Sequence, residues 1–89
     1  MITMSEVIEM TGLTEAEVDA VAEHEHLPEA AAAALACYLV ERGPLGRAEI
    51  AQMMRDDIRA ALKRGDRAHA AEVLGALKHF LATHGSPTG

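Results

Sequence analysis

This 89-residue chain has one cysteine, two aromatic residues and no tryptophan. A lone thiol, Cys37, cannot close an intrachain disulfide, so packing alone must hold the fold, as in a reducing compartment. The only rings are Tyr38 and Phe80, and 18 of the 44 apolar residues are alanine, which leaves 26 larger apolar side chains. That is enough for one thin core in a single small domain and excludes a large enzyme with a deep pocket of its own. Clusters of β-branched and aromatic residues are missing, so nothing reads as a strand. The longest apolar run, Ala30–Val40, has eleven residues, whereas a bilayer-spanning helix needs about 20. No Lys or Arg precedes Arg42, so the positive start of a signal peptide is lacking. The expectation is a soluble, cytoplasmic protein without membrane contact.

Positive charge is absent from one half only. Residues 1–41 hold nine acids and no Lys or Arg; residues 42–89 hold eight basic residues and five acids. The net charge of −6 therefore divides into −9 and +3. Opposite halves attract, within one chain or between two. Phosphate is repelled by the first half, which makes nucleic acid an unfavourable partner there.

What is present is helix-forming: Ala, Leu, Glu, Arg and Met dominate. Five segments carry start and stop signals. Met4–Met10 follows a Thr3/Glu6 capping box and stops at Gly12. Glu15–Glu25 follows a Thr14/Glu17 capping box, with Leu13 and Val18 spaced as a hydrophobic staple. Pro28–Arg42 begins on a proline and closes at Gly43-Pro44. Leu45–Arg64 ends on Gly65, and Asp66 caps Arg67–Thr83, which stops at Gly85. Residues 1–85 form one helical domain on this reading, and 86–89 a flexible tail. Ile50, Met53, Met54, Ile58, Ala61 and Leu62 form an apolar stripe, as do Ala70, Val73, Leu74, Leu77, Phe80 and Leu81. The short Arg64-Gly65-Asp66 link makes these last two helices an antiparallel hairpin. Its residues are explained as caps, which leaves the adhesion tripeptide they spell without support.

The third helix differs from the rest. Ala31, Leu35, Tyr38 and Leu39 make one face; Ala33, Ala36, Cys37 and Val40 make the other. A helix apolar all round is expected to be buried all round, either centrally in its own bundle or against a second copy of the chain. The fold predicted is an all-α bundle of five short helices with this helix at its centre.

The densest chemistry lies in Glu23-His24-Glu25-His26-Leu27-Pro28-Glu29. His24 and His26, with Glu23 or Glu25 and completed by His84 or His69, could hold a divalent metal. Glu23 and His26 have the Glu-x-x-His spacing of di-iron bundles, but no second copy exists and His69/Glu72 runs in reverse. Histidines at a helix C-terminus also complement the helix dipole without any ligand. Glu25 and Asp57 fall on apolar stripes, where a carboxylate must be paired or lie at the core edge. Arg55, Arg59 and Lys63 make a basic stripe able to meet phosphate, and the first two helices have the outline of a helix-turn-helix. The second of these, however, offers Glu15, Glu17, Asp19 and Glu23 where a reading helix needs cationic or amide side chains. Cys37 has no base near it in sequence, and no phosphate-binding glycine loop is present, so catalysis has no support.

The segments Glu-His-Glu-His-Leu-Pro-Glu at 23–29 and His-Phe-Leu-Ala-Thr-His at 79–84 resemble small bacterial all-helical proteins. The resemblance spans most of the chain and implies an all-helical fold, with no activity, cofactor or binding residue to transfer. Taken together, the residues lead to a non-catalytic interaction or regulatory module that binds itself or another protein, without a required cofactor. A homodimer is the expected form, and its expected surface is the third helix (Ala33, Ala36, Cys37 and Val40) or the first two helices, rimmed by acids, with Met53 and Met54 as a softer groove. Divalent-metal binding and DNA binding are the two alternatives.

Overall fold

The structure, a computed structural model, describes residues 3–84 and contains five helices: α1 (Met4–Thr11), α2 (Glu15–Glu25), α3 (Glu29–Glu41), α4 (Pro44–Lys63) and α5 (Arg67–His84). All five begin and end within two residues of the positions expected from their caps. The Gly85 stop and the tail 86–89 lie outside the described residues.

The caps act as their chemistry dictates. The Thr14 hydroxyl accepts from the Glu17 N–H at 3.2 Å, and the Glu17 carboxylate accepts from the Thr14 N–H at 2.7 Å, closing a capping box. Leu13 and Val18 are buried beside it, as a staple requires. Asp66 Oδ1 accepts from the His69 N–H at 3.0 Å, and Gly65 takes a left-handed φ of 78° while the Asp66 N–H reaches back to the Ala61 carbonyl. That closes α4 and opens α5 in three residues, so the two run antiparallel and make the most extensive helix–helix packing in the molecule.

The core joins α2, α3, α4 and α5 around Phe80, Ile50, Met54, Leu13, Val18 and Val21, all of them fully buried. Burying each of these large side chains contributes on the order of 1.5–3 kcal/mol. The α3–α4 junction is tighter still. A Cβ added at Gly46 would sit 1.9 Å from the Leu39 carbonyl oxygen, so only glycine lets the two backbones cross there. At the other end His84 stacks on Phe80 with ring centroids 4.8 Å apart, and its Nε2 donates to the Thr11 carbonyl at 2.6 Å, tying the end of α5 to the end of α1. The molecule is a slab of 35 × 32 × 17 Å.

Two expectations about α3 are corrected. It is not wrapped on all sides: Ala30, Ala31, Ala34 and Tyr38 are exposed, Tyr38 by 59%. An alanine methyl exposes little apolar area, so a water-facing alanine row costs little. The Tyr38 hydroxyl keeps its hydration, and the Arg42 guanidinium lies over the ring at 5.7 Å. Conversely, Ala33, Ala36 and Cys37 are buried within the chain, Val40 is half-buried, and Met53 and Met54 are core residues. The residues expected to form an interaction surface are used up by the fold itself. Of the remaining large apolar side chains, Met10, Leu45, Leu62 and Leu74 are exposed along with Tyr38.

Candidate functional site

Helix α2 lies on one face of the α4–α5 hairpin and is laced to it by three carboxylate–imidazole pairs. Glu17 meets His79 Nδ1 at 2.9 Å, Glu23 meets His69 Nε2 at 2.5 Å, and His24 Nε2 meets Asp56 at 3.1 Å. Glu17 and His24 stand two turns apart, on the same side of α2 as the buried Ala20 and Val21. Glu17 is itself 1% exposed. It tolerates burial because one carboxylate oxygen takes the Thr14 N–H and the other takes His79. Thr83 Oγ1 lies 3.4 Å from the far nitrogen of His79, giving a carboxylate–imidazole–hydroxyl order. That last contact is at the limit of a hydrogen bond, and both His79 and Thr83 lie on exposed helix surface.

The other two pairs converge where the end of α2 meets the hairpin. There Glu23, His24, His26, Asp56, Asp57, Ala60 and Arg64 line a cleft of 320 Å³, and Glu23 and His69 also border a smaller hollow of 100 Å³ beside it. Burial works against charge on His24, but its hydrogen bonds to Glu25 (2.7 Å, through Nδ1) and Asp56 outweigh that and raise its pKa above the ordinary value. Asp56 is held below the ordinary carboxylate value by hydrogen bonds from Gln52, at 3.0 Å, and from His24.

Asp57 behaves differently. It is 5% exposed, and its Oδ2 is buried with no hydrogen-bond partner. Loss of hydration, with the Glu23 charge nearby, pushes its pKa up to about 6, although His24 and His69 pull the other way. A perturbed acid lining a cleft is a candidate functional group. The sequence singled out Asp57 from its position on the apolar stripe of α4, and the structure places it inside. Glu25, singled out on the same ground, is exposed and pairs with its neighbour His24.

The histidines expected to share a metal do not form one ligand set, although His24 and His26 both line the cleft. His24 is engaged by Glu25 and Asp56, and His84 is at the α1 end, on the Thr11 carbonyl. His26 is an exposed C-cap in the left-handed region, with φ 55°, whose backbone N–H closes α2 on the Ala22 carbonyl. Among the described residues no group of three or more His, Cys, Asp or Glu side chains is arranged to hold a metal ion. Of the basic stripe, Arg59 and Lys63 are exposed and Arg55 half-exposed; Arg59 leans toward Asp56 at 3.9 Å. The exposed side chains of α2 include Glu15 and Asp19, an unfavourable surface for phosphate. Helix α1 packs on α3. The buried thiol of Cys37 is pushed above its ordinary pKa by desolvation and by Glu41, the opposite of an activated nucleophile.

Sequence reasoning missed the Glu17–His79 and Glu23–His69 pairs. The available signal was position: Glu17 stands three and four residues before the core residues Ala20 and Val21, and His69 stands four before Val73. No family profile, curated protein or solved structure matches the chain. No helix among the described residues is long and apolar enough to cross a membrane.

Proposed function

We propose that this protein is a non-catalytic interaction module that associates with a second copy of itself through the outer face of the α4–α5 hairpin. The observation that carries the reading is a pair of exposed leucines, Leu62 at 56% and Leu74 at 41%, on the side of the hairpin away from α2. Their placement follows from helix geometry at about 100° per residue. On α4, Asp56, the residue paired with α2, lies on one flank of the buried stripe, and Ile58 and Leu62 lie on the other. On α5, His69 and His79 point to α2, and Leu74 and Leu81 lie on the opposite flank. Ile58 and Leu81 are half-buried against the core, so the leucines continue the core outward.

This flank is open at Leu62 and Leu74 and closed nearer the start of α4, where Ala51 is fully buried. A stable association needs roughly 800 Å² per partner, which the flank of two helices of 20 and 18 residues, each about 30 Å long, can supply. Arg55, Arg67 and Lys78 border the leucines on the same flanks. A symmetric pairing brings these like charges to its rim, so the association rests on the apolar contact between the leucines. A cytoplasmic setting suits a chain whose one cysteine is a buried free thiol.

Sedimentation equilibrium tests the reading. The wild-type chain is expected to show a dimer at high micromolar concentration, strengthened by salt that screens the basic rims, and the double substitution Leu62→Glu, Leu74→Glu is expected to be monomeric with unchanged helical content. A wild-type monomer at that concentration refutes self-association.

A further inference from the structure

Helix α2 is fastened to the hairpin by different means at its two ends. Its start is held by packing and a cap: Leu13 and Val18 are fully buried, and Thr14 and Glu17 close the capping box. Glu17 keeps the Thr14 N–H whatever charge His79 carries. The other end is held by ionisable groups. Glu23 pairs with His69 of α5 and His24 with Asp56 of α4, while the second ring nitrogen of His24 meets Glu25. Asp57 lines the same cleft, 5% exposed and with Oδ2 unpartnered. The helix then stops on His26 in the left-handed region, followed by Leu27 and Pro28, so a bend stands directly after the ionisable turn.

We propose that the last turn of α2 is a pH-operated latch, docked on the hairpin while His24 and His69 are charged and Asp57 is protonated, and freed to open as pH rises through neutrality. Charge in the joint is the reason. With both imidazoles charged and Asp57 protonated, the carboxyls of Glu23, Glu25, Asp56 and Asp57 leave one net negative charge. With the imidazoles neutral and Asp57 ionised they leave four, packed between α2 and the hairpin. Nearby cations do not compensate. Arg64 turns its guanidinium toward Asp66 at 3.8 Å, and Arg59, itself exposed, stays 3.9 Å from Asp56. Asp19 of α2 and Glu72 of α5 border the hollow beside Glu23 and His69 and add negative charge. His26 is exposed, and the charged residues of α3, Glu29 and Glu41, lie exposed at its two ends.

The sign follows from what opening does to each group. Asp57 is desolvated and close to Glu23, and it titrates at about 6 instead of 3.8. Lifting the last turn gives it water and removes Glu23, so the docked form holds this proton more tightly than the open form does. For His24 burial opposes charge, but the hydrogen bonds to Glu25 and Asp56 outweigh it and raise its pKa; opening breaks the bond to Asp56. Both protons favour docking, and both leave as pH rises. The Asp57 shift of about two units alone corresponds to about a hundredfold in the opening equilibrium. Opening uncovers Val21, fully buried, and Leu27, half-buried against the core. It acts on the side of the hairpin away from Leu62 and Leu74, so the latch does not depend on self-association.

The test is native-state hydrogen exchange of the full chain by NMR at pH 4.5, 6 and 8, with and without about 1 M urea, each rate divided by the intrinsic rate at that pH. The reporters are the amides of residues 24–27, among them those of His26 and Leu27, which close the helix on the Ala22 carbonyl. Their protection is expected to fall at least about tenfold from pH 4.5 to pH 8, with little urea dependence, because a local opening exposes little surface. The amides of Leu77 and Phe80 are expected to stay better protected at each pH and to show the full urea dependence of unfolding. Asp57→Asn is expected to raise protection at pH 8 and to remove most of the fall, and adding His24→Gln to leave less than about threefold. Protection at 24–27 that does not change with pH overturns the proposal. So does a fall that carries the urea dependence seen at Leu77 and Phe80, which is unfolding of the whole domain, or an Asp57→Asn chain that keeps the wild-type fall.

Discussion

Replacing Asp57 by Asn should stabilise the protein at neutral pH and leave it nearly unchanged in acid. The carboxyl is desolvated, lies near Glu23, and titrates near 6 rather than at the ordinary 3.8. The folded state therefore holds this proton more tightly than the unfolded chain does. Below pH 3.8 both states are protonated and the group is neutral with respect to folding. As pH rises toward 6 the unfolded chain ionises first, and stability falls; above 6 the loss is complete. A difference of about two pKa units corresponds to about 3 kcal/mol. That is a large part of the 5–10 kcal/mol or so of stability expected for a domain of this size. Asn has the same shape and cannot ionise, so it removes the pH-dependent part while keeping a polar group in place. Urea denaturation of both chains at half-unit steps from pH 4 to pH 8, followed by circular dichroism, measures the difference directly. The stability gap should open between pH 4 and 6 and then stay constant, with the variant the more stable. A gap that is flat across the range, or one that favours the wild type at pH 7, refutes the account of Asp57 as a buried, unpartnered charge.

Other perturbations follow from the same structure. Gly46→Ala should cost more than about 2 kcal/mol despite the better helix propensity of alanine, because the added methyl would overlap the Leu39 carbonyl and force α3 from α4; denaturant melts read this. His26→Gly should raise stability by roughly 1 kcal/mol, since His26 is the one non-glycine residue at positive φ among those described, and it should leave the α2 cap intact by amide exchange. Phe80→Ala should cost about 3–5 kcal/mol, as expected for emptying the centre of a core. Cys37 should react with a thiol reagent far more slowly in the folded chain than in urea, because it is buried and its thiol pKa is raised. His24, whose pKa is raised by its hydrogen bonds to Glu25 and Asp56, adds stability below its unfolded value of 6.5 and loses it as pH climbs through the folded value; in His24→Ala that high-pH portion of the slope should vanish.

The parts of this molecule that were legible in the sequence are those specified locally. Thr14 and Glu17 mark a helix start because the two groups that satisfy each other are three residues apart. Gly65 and Asp66 mark a stop and a start because one residue must turn left-handed and the next must cap. Asp57 was legible as a problem, since a carboxylate between Met53, Met54 and Ala61 was expected to be paired or at the core's edge; instead it is buried with Oδ2 unpartnered. The unread parts depend on what lies across the fold. Nothing in α3 itself says which side α1, α2 and α4 will cover; alanine suits either, so the row at 30, 31 and 34 ended up in water while 33 and 36 became core. Gly46 lies in the first turn of α4, and its role is set by Leu39 on the neighbouring helix. The Glu17–His79 pair spans 62 positions, beyond any local spacing rule. The interaction surface was misplaced for the same reason: apolar character alone does not separate a face the chain buries in itself from one it leaves open.

The most direct test of the docking face is an isotope-filtered NOE experiment on a mixture of labelled and unlabelled chains at millimolar concentration. The methyl groups of Leu62 and Leu74 should show contacts to the second copy, and those contacts should disappear in the Leu62→Glu, Leu74→Glu variant. Intermolecular contacts confined to Met10, Tyr38 and Leu45, or none from any residue, would contradict it.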